Sequence, residues 1–328
     1  MPFAVSIRRI FLIALAAWAP LLPAAHAADA PYPNGVVRVI IPFPPGGPTD
    51  TMGRIIGQKL QELWGQPVII DYKPGAGTVI GVDVVAKAPP NGLTIGIVNS
   101  SYPINPLLRK TMPYDTVKDL VNVTQIAKLQ LALIANPQTP FNTVPELVAY
   151  AKAHPRELSY ATPGAGGTSH LAGELLNRAA GIDLMHVPYK GSAPAQADLM
   201  GGRVQLMVDP FFSALPFVKA GRLKFIATAG EKRVPGYEQY PTIAETYPGF
   251  VVSALLGFVA PAATPKHIVQ KLQADVARVL LAPDVKQRIE ELGMEVVASR
   301  PEEFDAFVHS EMSKWGKVIA AAHIQIEQ

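Results

Sequence analysis

The sequence predicts an α/β protein of two domains, each a mainly parallel sheet flanked by helices. Two observations carry this. Apolar runs of four to seven residues alternate with longer stretches of helical period, the pattern of strands covered by helices. In addition, one arrangement occurs twice: a strand runs into a proline- and glycine-rich loop that opens at once onto a helix, with Gly46 and Gly166 lying 120 residues apart. No close sequence repeat accompanies it, so it reads as one architectural idea used once per domain. A chain of 328 residues is long enough to bury two cores.

Residues 1–27 read as an export signal rather than as part of the fold. Arg8 and Arg9 precede an apolar core from Ile10 to Leu22, and Ala25-His26-Ala27 is a small-residue cleavage site, so the mature chain is expected to begin near Ala28. That core is too short and wrongly flanked for a spanning helix, which needs about 20 residues. The run from Arg8 to Leu12 also resembles a twin-arginine signal, leaving general secretory and twin-arginine export both open.

Residues 36–41 (VVRVII) form the first expected strand, and PFPPGGPTD (42–50) the first loop. The next helix shows Met52, Ile55, Ile56, Leu60, Leu63 and Trp64 on one face, with Thr49 as its N-cap and Gly65 as its stop. PVIIDY (67–72), a second glycine turn at 74–77, a helix through Val84 and Val85, and LTIGIV (93–98) follow. This last strand ends in the polar cluster Asn99-Ser100-Ser101. From about residue 130 the grammar restarts with LALIANP, a helix over 144–153, a strand at 158–162, the loop 163–167 and a helix bearing Leu171, Leu175 and Leu176. A compact βαβ unit spans 184–209, KFIATA (224–229) closes the second unit, and the tail from Pro265 returns to helical spacing.

Composition excludes several function classes. Residues 1–27 hold Arg8 and Arg9 and no acid, so the formal charge falls from +3 to +1 on their removal. A nearly neutral chain without lysine or arginine runs lacks the electrostatic footprint of a nucleic-acid binder. With no cysteine there is no disulfide, thiol nucleophile or cysteine metal ligand. The histidines never fall at zinc-ligand spacing, no G-x-S-x-G elbow occurs, and neither glycine loop carries a dinucleotide or phosphate fingerprint. No cofactor or metal is expected.

What the two loops can do is hold an anion. A glycine-rich strand-to-helix loop lets the backbone approach a ligand and aims unpaired N–H groups of the first helical turn into the crevice above the sheet, while prolines stiffen the approach. The same arrangement also serves as a plain tight connection. Asp209 stands at a strand end where α/β sheets present ligand-facing groups, Lys190 at a turn that could rim a cleft, and His170 at a helix start.

With these stretches in view, the sequence resembles the Bug-type periplasmic receptors of tripartite tricarboxylate transporters. PFPPGGPTD, KPGAGTVIG (73–81), NGLTI (91–95), GAGGTSHLAGEL (164–175), HVPYKGSAPAQADLMGGRVQLM (186–207) and APAATP (260–265) carry the likeness across nearly the whole mature chain. The resemblance implies a two-domain, Venus-flytrap periplasmic binding protein (type II-like). One domain would comprise 28–128 plus 253–328, with the C-terminal helices packed on it, and the other 129–252. It implies a carboxylate held by Pro44, Gly46, Gly47, Thr49 and Asp50 on one side and by Ala165, Gly166, Thr168 and Ser169 on the other. Asn99, Ser100 and Ser101 would line the floor, and Tyr189 and Asp209 would be added from the second domain. Many relatives carry tryptophan within the segment where this chain has Ser253–Gly257, and a further glycine where Thr78 stands. The expected function is a monomeric extracytoplasmic receptor delivering a small organic acid to membrane permease subunits. A periplasmic enzyme drawing its base from Asp50, Asp209 or His170, and a ligand-responsive partner of a membrane sensor, are the alternatives.

Overall fold

The computed structural model describes residues 32–46, 48–189 and 191–322. The expected signal, Gly47 and Lys190 lie outside the described residues.

The apolar runs form strands and the periodic stretches form helices, with boundaries close to those expected. The first half of the chain contains β1 (Val37–Ile41), α1 (Pro48–Trp64), β2 (Val68–Tyr72), α2 (Val79–Ala86), β3 (Thr94–Asn99) and α3 (Ser101–Leu108). Then come β4 (Leu120–Ala135), α4 (Val144–Ala153), β5 (Ser159–Thr162), α5 (Thr168–Ala180), β6 (Met185–Pro188), α6 (Ser192–Met200), β7 (Leu206–Pro210), α7 (Phe211–Lys219) and β8 (Lys224–Thr228). The chain continues with β9 (Ser253–Pro261), α8 (Lys266–Leu280), α9 (Pro283–Glu291), β10 (Met294–Val296) and α10 (Pro301–Ala322). One expectation shifts: α1 starts at Pro48, which suits the first helical position, so Thr49 lies in the first turn instead of capping it.

Ten strands make one mixed sheet in the order β2-β1-β3-β9-β4-β7-β5-β6, with β8 and β10 also paired to β4. The expected parallel pairing is confined to the outer strands, β2-β1-β3 and β7-β5-β6. Everything that touches β4 is antiparallel, as is β3 with β9, so the sheet is mixed rather than mainly parallel. The reason is connectivity. β4 and β9 carry the chain between the two halves of the sheet instead of returning through a crossover helix.

β4 runs for 16 residues, from Leu120 to Ala135, whereas the apolar run LALIA covers only 131–135. Its first part is masked in the sequence by Asn122, Thr124 and Gln125, which are buried. Each finds a distant partner: Asn122 Nδ2 donates to Asp305 Oδ1 (2.9 Å), Thr124 Oγ1 to the Ser299 carbonyl (2.7 Å), and the Gln125 N–H to Ser299 Oγ (2.9 Å). Beyond Gln130 the strand alternates cleanly. Leu131, Leu133 and Ala135 join a core with Leu147, Leu171, Leu176 and Leu206, while Ala132 and Ile134 join one on the opposite face with Met207 and Phe211.

In the first half, Met52, Ile56 and Leu60 of α1 pack on Val39, Ile41 and Ile97. α10 reaches further than the resemblance implies. Phe304 and Val308 join the core around Tyr102 and Leu255, but Trp315, Val318 and Ile319 join the core built on Leu133, Leu147 and Leu171. Thr78 holds φ 83°, a conformation glycine adopts freely and a β-branched residue rarely does.

α5 rides directly on the Tyr160 ring because residue 173 is glycine: a Cβ there would overlap the ring. Gly316, inside α10, has nothing nearer than Leu107 Cδ2 at 3.9 Å. Gly173→Ala should therefore lower unfolding stability by about 1–3 kcal/mol. Gly316→Ala should be neutral or stabilising by up to about 1 kcal/mol. Urea unfolding of the two variants checks the contrast.

Candidate ligand-binding cleft

A cleft of about 700 Å³ opens where β4 changes partners. Leu129 pairs with Ala254 on β9, Leu131 with Pro210 on β7, and all four line the cleft with Leu255 and Leu256. The rest of the lining comes from loops: Phe43, Pro44, Pro45 and Thr49; Asn99, Ser100 and Ser101; Pro163, Gly164, Ala165, Gly167, Thr168 and Ser169; Gly191 and Ser192. None of these described residues carries an ionisable side chain.

What the cleft presents instead is helix starts. Ser100, Gly167, Gly191 and Pro210 are the cap residues of α3, α5, α6 and α7, and Thr49 is in the first turn of α1. At none of the four cap positions does the residue supply a side-chain acceptor to the first turn. By contrast α4, which does not border the cleft, is capped by Thr143 Oγ1 accepting from the Glu146 N–H (3.3 Å). Five helix starts that face one space concentrate N–H groups and the positive ends of helix dipoles there. Such a space favours an anion without a salt bridge.

The structure brings Pro44, Thr49, Asn99, Ser100, Ser101, Ala165, Thr168 and Ser169 together on the cleft wall. Gly46, Asp50, Gly166, Tyr189 and Asp209 are not among the lining residues, and Gly47 lies outside the described residues. Their bonds show what they do. The Gly46 N–H donates to Asp50 Oδ2 (2.7 Å), and Asp50 Oδ1 accepts from Tyr72 Oη (2.6 Å) and Arg54 Nε (2.8 Å). Burial works to raise the Asp50 carboxyl, but the bonds from Tyr72, Gly46 and Arg54 outweigh it and hold the carboxyl below its ordinary range. Asp50 thus ties its own loop.

Asp209 is fully buried and accepts from Ser192 Oγ (2.6 Å) and Gln196 Nε2 (2.7 Å). Burial raises its carboxyl despite those bonds. Its role is to pin the first turn of α6, so that Ser192 borders the cleft. The Gly166 N–H is taken by His170 Nδ1 (3.0 Å), and Tyr189 Oη donates to Asp198 Oδ2 (2.9 Å). On the floor, the Ser101 N–H donates to Asn99 Oδ1 (3.1 Å) and the Leu255 N–H to Ser100 Oγ (2.9 Å), fixing that turn to β9.

Sequence reasoning missed Ser192, Pro210 and the leucine wall. For Ser192 a signal existed, a small polar residue opening the helix ahead of Pro194. For Leu129, Leu131, Leu255 and Leu256 there was none, because apolar strand residues look alike whether they face core or cleft.

The fold defines a class: an α/β protein of the periplasmic binding type, here with a cleft bordered by helix starts. The chain belongs to the tripartite tricarboxylate transporter family receptors, whose family model matches residues 52–324. It is 33% identical over 299 residues to Protein BugT of Bordetella pertussis (strain Tohama I), covering 90% of this chain and 92% of the relative. Among solved structures, a protein of R. palustris with adipate is 35% identical with a TM-score of 0.79, covering 90% of this chain and 99% of the other. MatC from Rhodopseudomonas palustris with bound malate is 34% identical with a TM-score of 0.74, covering 88% and 100%. Receptors of this family are periplasmic solute-binding proteins.

Asp209→Ala removes the fully buried carboxylate that accepts from both Ser192 Oγ and Gln196 Nε2, although Gln196 Nε2 keeps Ser213 Oγ (2.9 Å); each hydrogen bond to a charged group is worth about 1.5–3 kcal/mol. Urea unfolding should register a loss of about 2 kcal/mol or more. Tyr189→Phe, which removes one bond at a half-buried position, should cost about 1 kcal/mol or less.

Proposed function

We propose that this chain is an exported receptor that closes on a small organic acid, a mono- or dicarboxylate with aromatic acids included, and hands it to a tripartite tricarboxylate-type membrane permease. The observation that carries this reading is the convergence of five helix starts on a cleft whose described lining has no ionised side chain. Anions of different skeletons satisfy such a site, because backbone N–H groups read charge and hydrogen-bonding geometry rather than carbon framework. The adipate and malate held by the two solved relatives support a carboxylate.

In this reading residues 1–27 are the cleaved signal and the mature protein works in the periplasm as a monomer. The moving bodies are 28–128 with 253–328 and 129–252, hinged where β4 passes Gln130 and where Val252 leads into β9. The reach of α10 into the second core makes its last turns part of the hinge. Pro44, Thr49, Asn99, Ser100, Ser101, Ala165, Thr168 and Ser169 are the contact set, with Asp50, Gly166 and Asp209 bracing the loops that carry it. Against an enzymatic role stands the placement of Asp50, Asp209 and His170: none reaches the cleft wall, and each is committed to a loop or helix start.

Thermal shift of residues 28–328 against mono-, di- and tricarboxylates and aromatic acids, with the matching amides as controls, tests the reading. A ligand at a hundredfold excess over its dissociation constant adds about 2.7 kcal/mol of stability. The expected result is a shift with an acid that its amide does not give. Ala165 is exposed at the cleft rim. Ala165→Asp should therefore weaken an acid that binds by tenfold or more, about 1.4 kcal/mol, and Ala165→Asn by much less. No shift with any acid, or equal affinity for Ala165→Asp, would overturn the anion site.

A further inference from the structure

Beneath the cleft loop 163–167 lie two histidines that do not touch the cleft. His170 and His186 stack ring on ring, with centroids 3.7 Å apart and planes 11° from parallel. Both support the loop. The Gly166 N–H donates to His170 Nδ1 (3.0 Å). Thr162 Oγ1 donates to the Gly164 carbonyl (2.9 Å), which spends its only proton, so it accepts from His186 Nε2 at 2.7 Å.

These bonds assign the protons. His170 Nδ1 accepts, so it carries no hydrogen, and His170 is the neutral tautomer with its proton on Nε2. Burial pushes His170 down to about 4, and burial followed by the neighbouring His170 pushes His186 down to about 3. Among the described residues, the other titratable groups facing the pair are Glu174, whose Oε1 lies 3.9 Å from His170 Nε2, and Tyr160, whose hydroxyl donates to that same Oε1 (2.7 Å) and whose ring lies 5.0 Å from His186.

We propose that His170 is a positioning residue for the ligand: its unprotonated Nδ1 holds the Gly166 amide, with His186 bracing Gly164 through Thr162, and so sets Ala165, Thr168 and Ser169 around the cleft and couples ligand affinity to the charge of the pair. The proposal rests on the receptor reading above. Protonating His170 puts a second donor against the Gly166 N–H, and that bond must break. Gly166 sits at φ 71°, where few side chains are tolerated, so the loop has lost an anchor at its most specialised residue. A second proton on the stacked partner is opposed by like charge at ring-contact distance. Because both imidazoles are held neutral by the fold, their contribution to stability is full above their ordinary value of 6.5 and drains away as the pH falls toward about 4 and 3. Ligand affinity follows the same sign, full near neutrality and weaker as His170 protonates.

The test uses His170→Asn, whose Oδ1 can take the place of Nδ1 and does not titrate, and His170→Leu, which offers no acceptor. Adipate is the probe, by calorimetry at pH 7.5, and the Gly166 amide and His170 ring resonances of the ligand-free wild type are followed by NMR from pH 7.5 to 4. The expected result is affinity within about threefold of wild type for Asn and at least tenfold weaker for Leu, with the Gly166 amide moving on the same titration curve as the His170 ring. Equal affinity in the Leu variant, an Asn variant as weak as Leu, or a Gly166 amide that ignores His170 would each overturn the proposal. If wild type does not take adipate, it is adipate as the ligand that fails, and the shared titration of Gly166 and His170 alone decides. Should the Leu variant not fold, the Asn variant and that titration decide.

Discussion

The register of β4 is the constraint on which the rest of the molecule depends. A single strand pairs with β9 as far as Gln130 and with β7 from Leu131 onward, so one strand serves both halves of the sheet. A shift of one residue would exchange Leu131 and Leu133 for Ala132 and Ile134, and turn both cores of the second half inside out. It would also dismantle the part of the cleft lining made by the residue pairs on either side of the partner change. The long-range bonds from Asn122, Thr124 and Gln125 to Ser299 and Asp305 pin the register from the far end.

Around this strand the molecule separates charge from contact. Three ionisable side chains among the described residues stand close to the cleft, and each is used to hold a loop or a helix start in place. Asp50 ties the loop ahead of α1, Asp209 ties the start of α6, and His170 ties the loop ahead of α5. The cleft then presents helix starts and small hydroxyl residues to its contents. A carboxylate in such a place is attracted by many partial charges fixed in position, which need no reorganisation on binding. The leucine wall contributed by β4 and β9 adds an apolar surface to the cleft.

The sequence by itself determined the local elements and the places where they stop. Strand residues such as Val37–Ile41, the α1 stripe of Met52, Ile56 and Leu60, and the helix Val144–Ala153 were legible because periodicity is a property of neighbours a few residues apart. The two loops that carry the site were legible for the same reason, since proline and glycine before a helix mark a constrained turn wherever they occur. Tertiary structure alone decided the rest. The part of β4 ahead of Leu131 and all of β9 were hidden, the former because its buried polar residues are satisfied only by partners more than 170 positions away. The same limit applied to the site. Whether Asp50, Gly166 and Asp209 meet a ligand or brace the wall depends on Tyr72, His170 and Gln196, and a side chain's hydrogen-bond partner is chosen by the packing of whole elements, which no local spacing encodes.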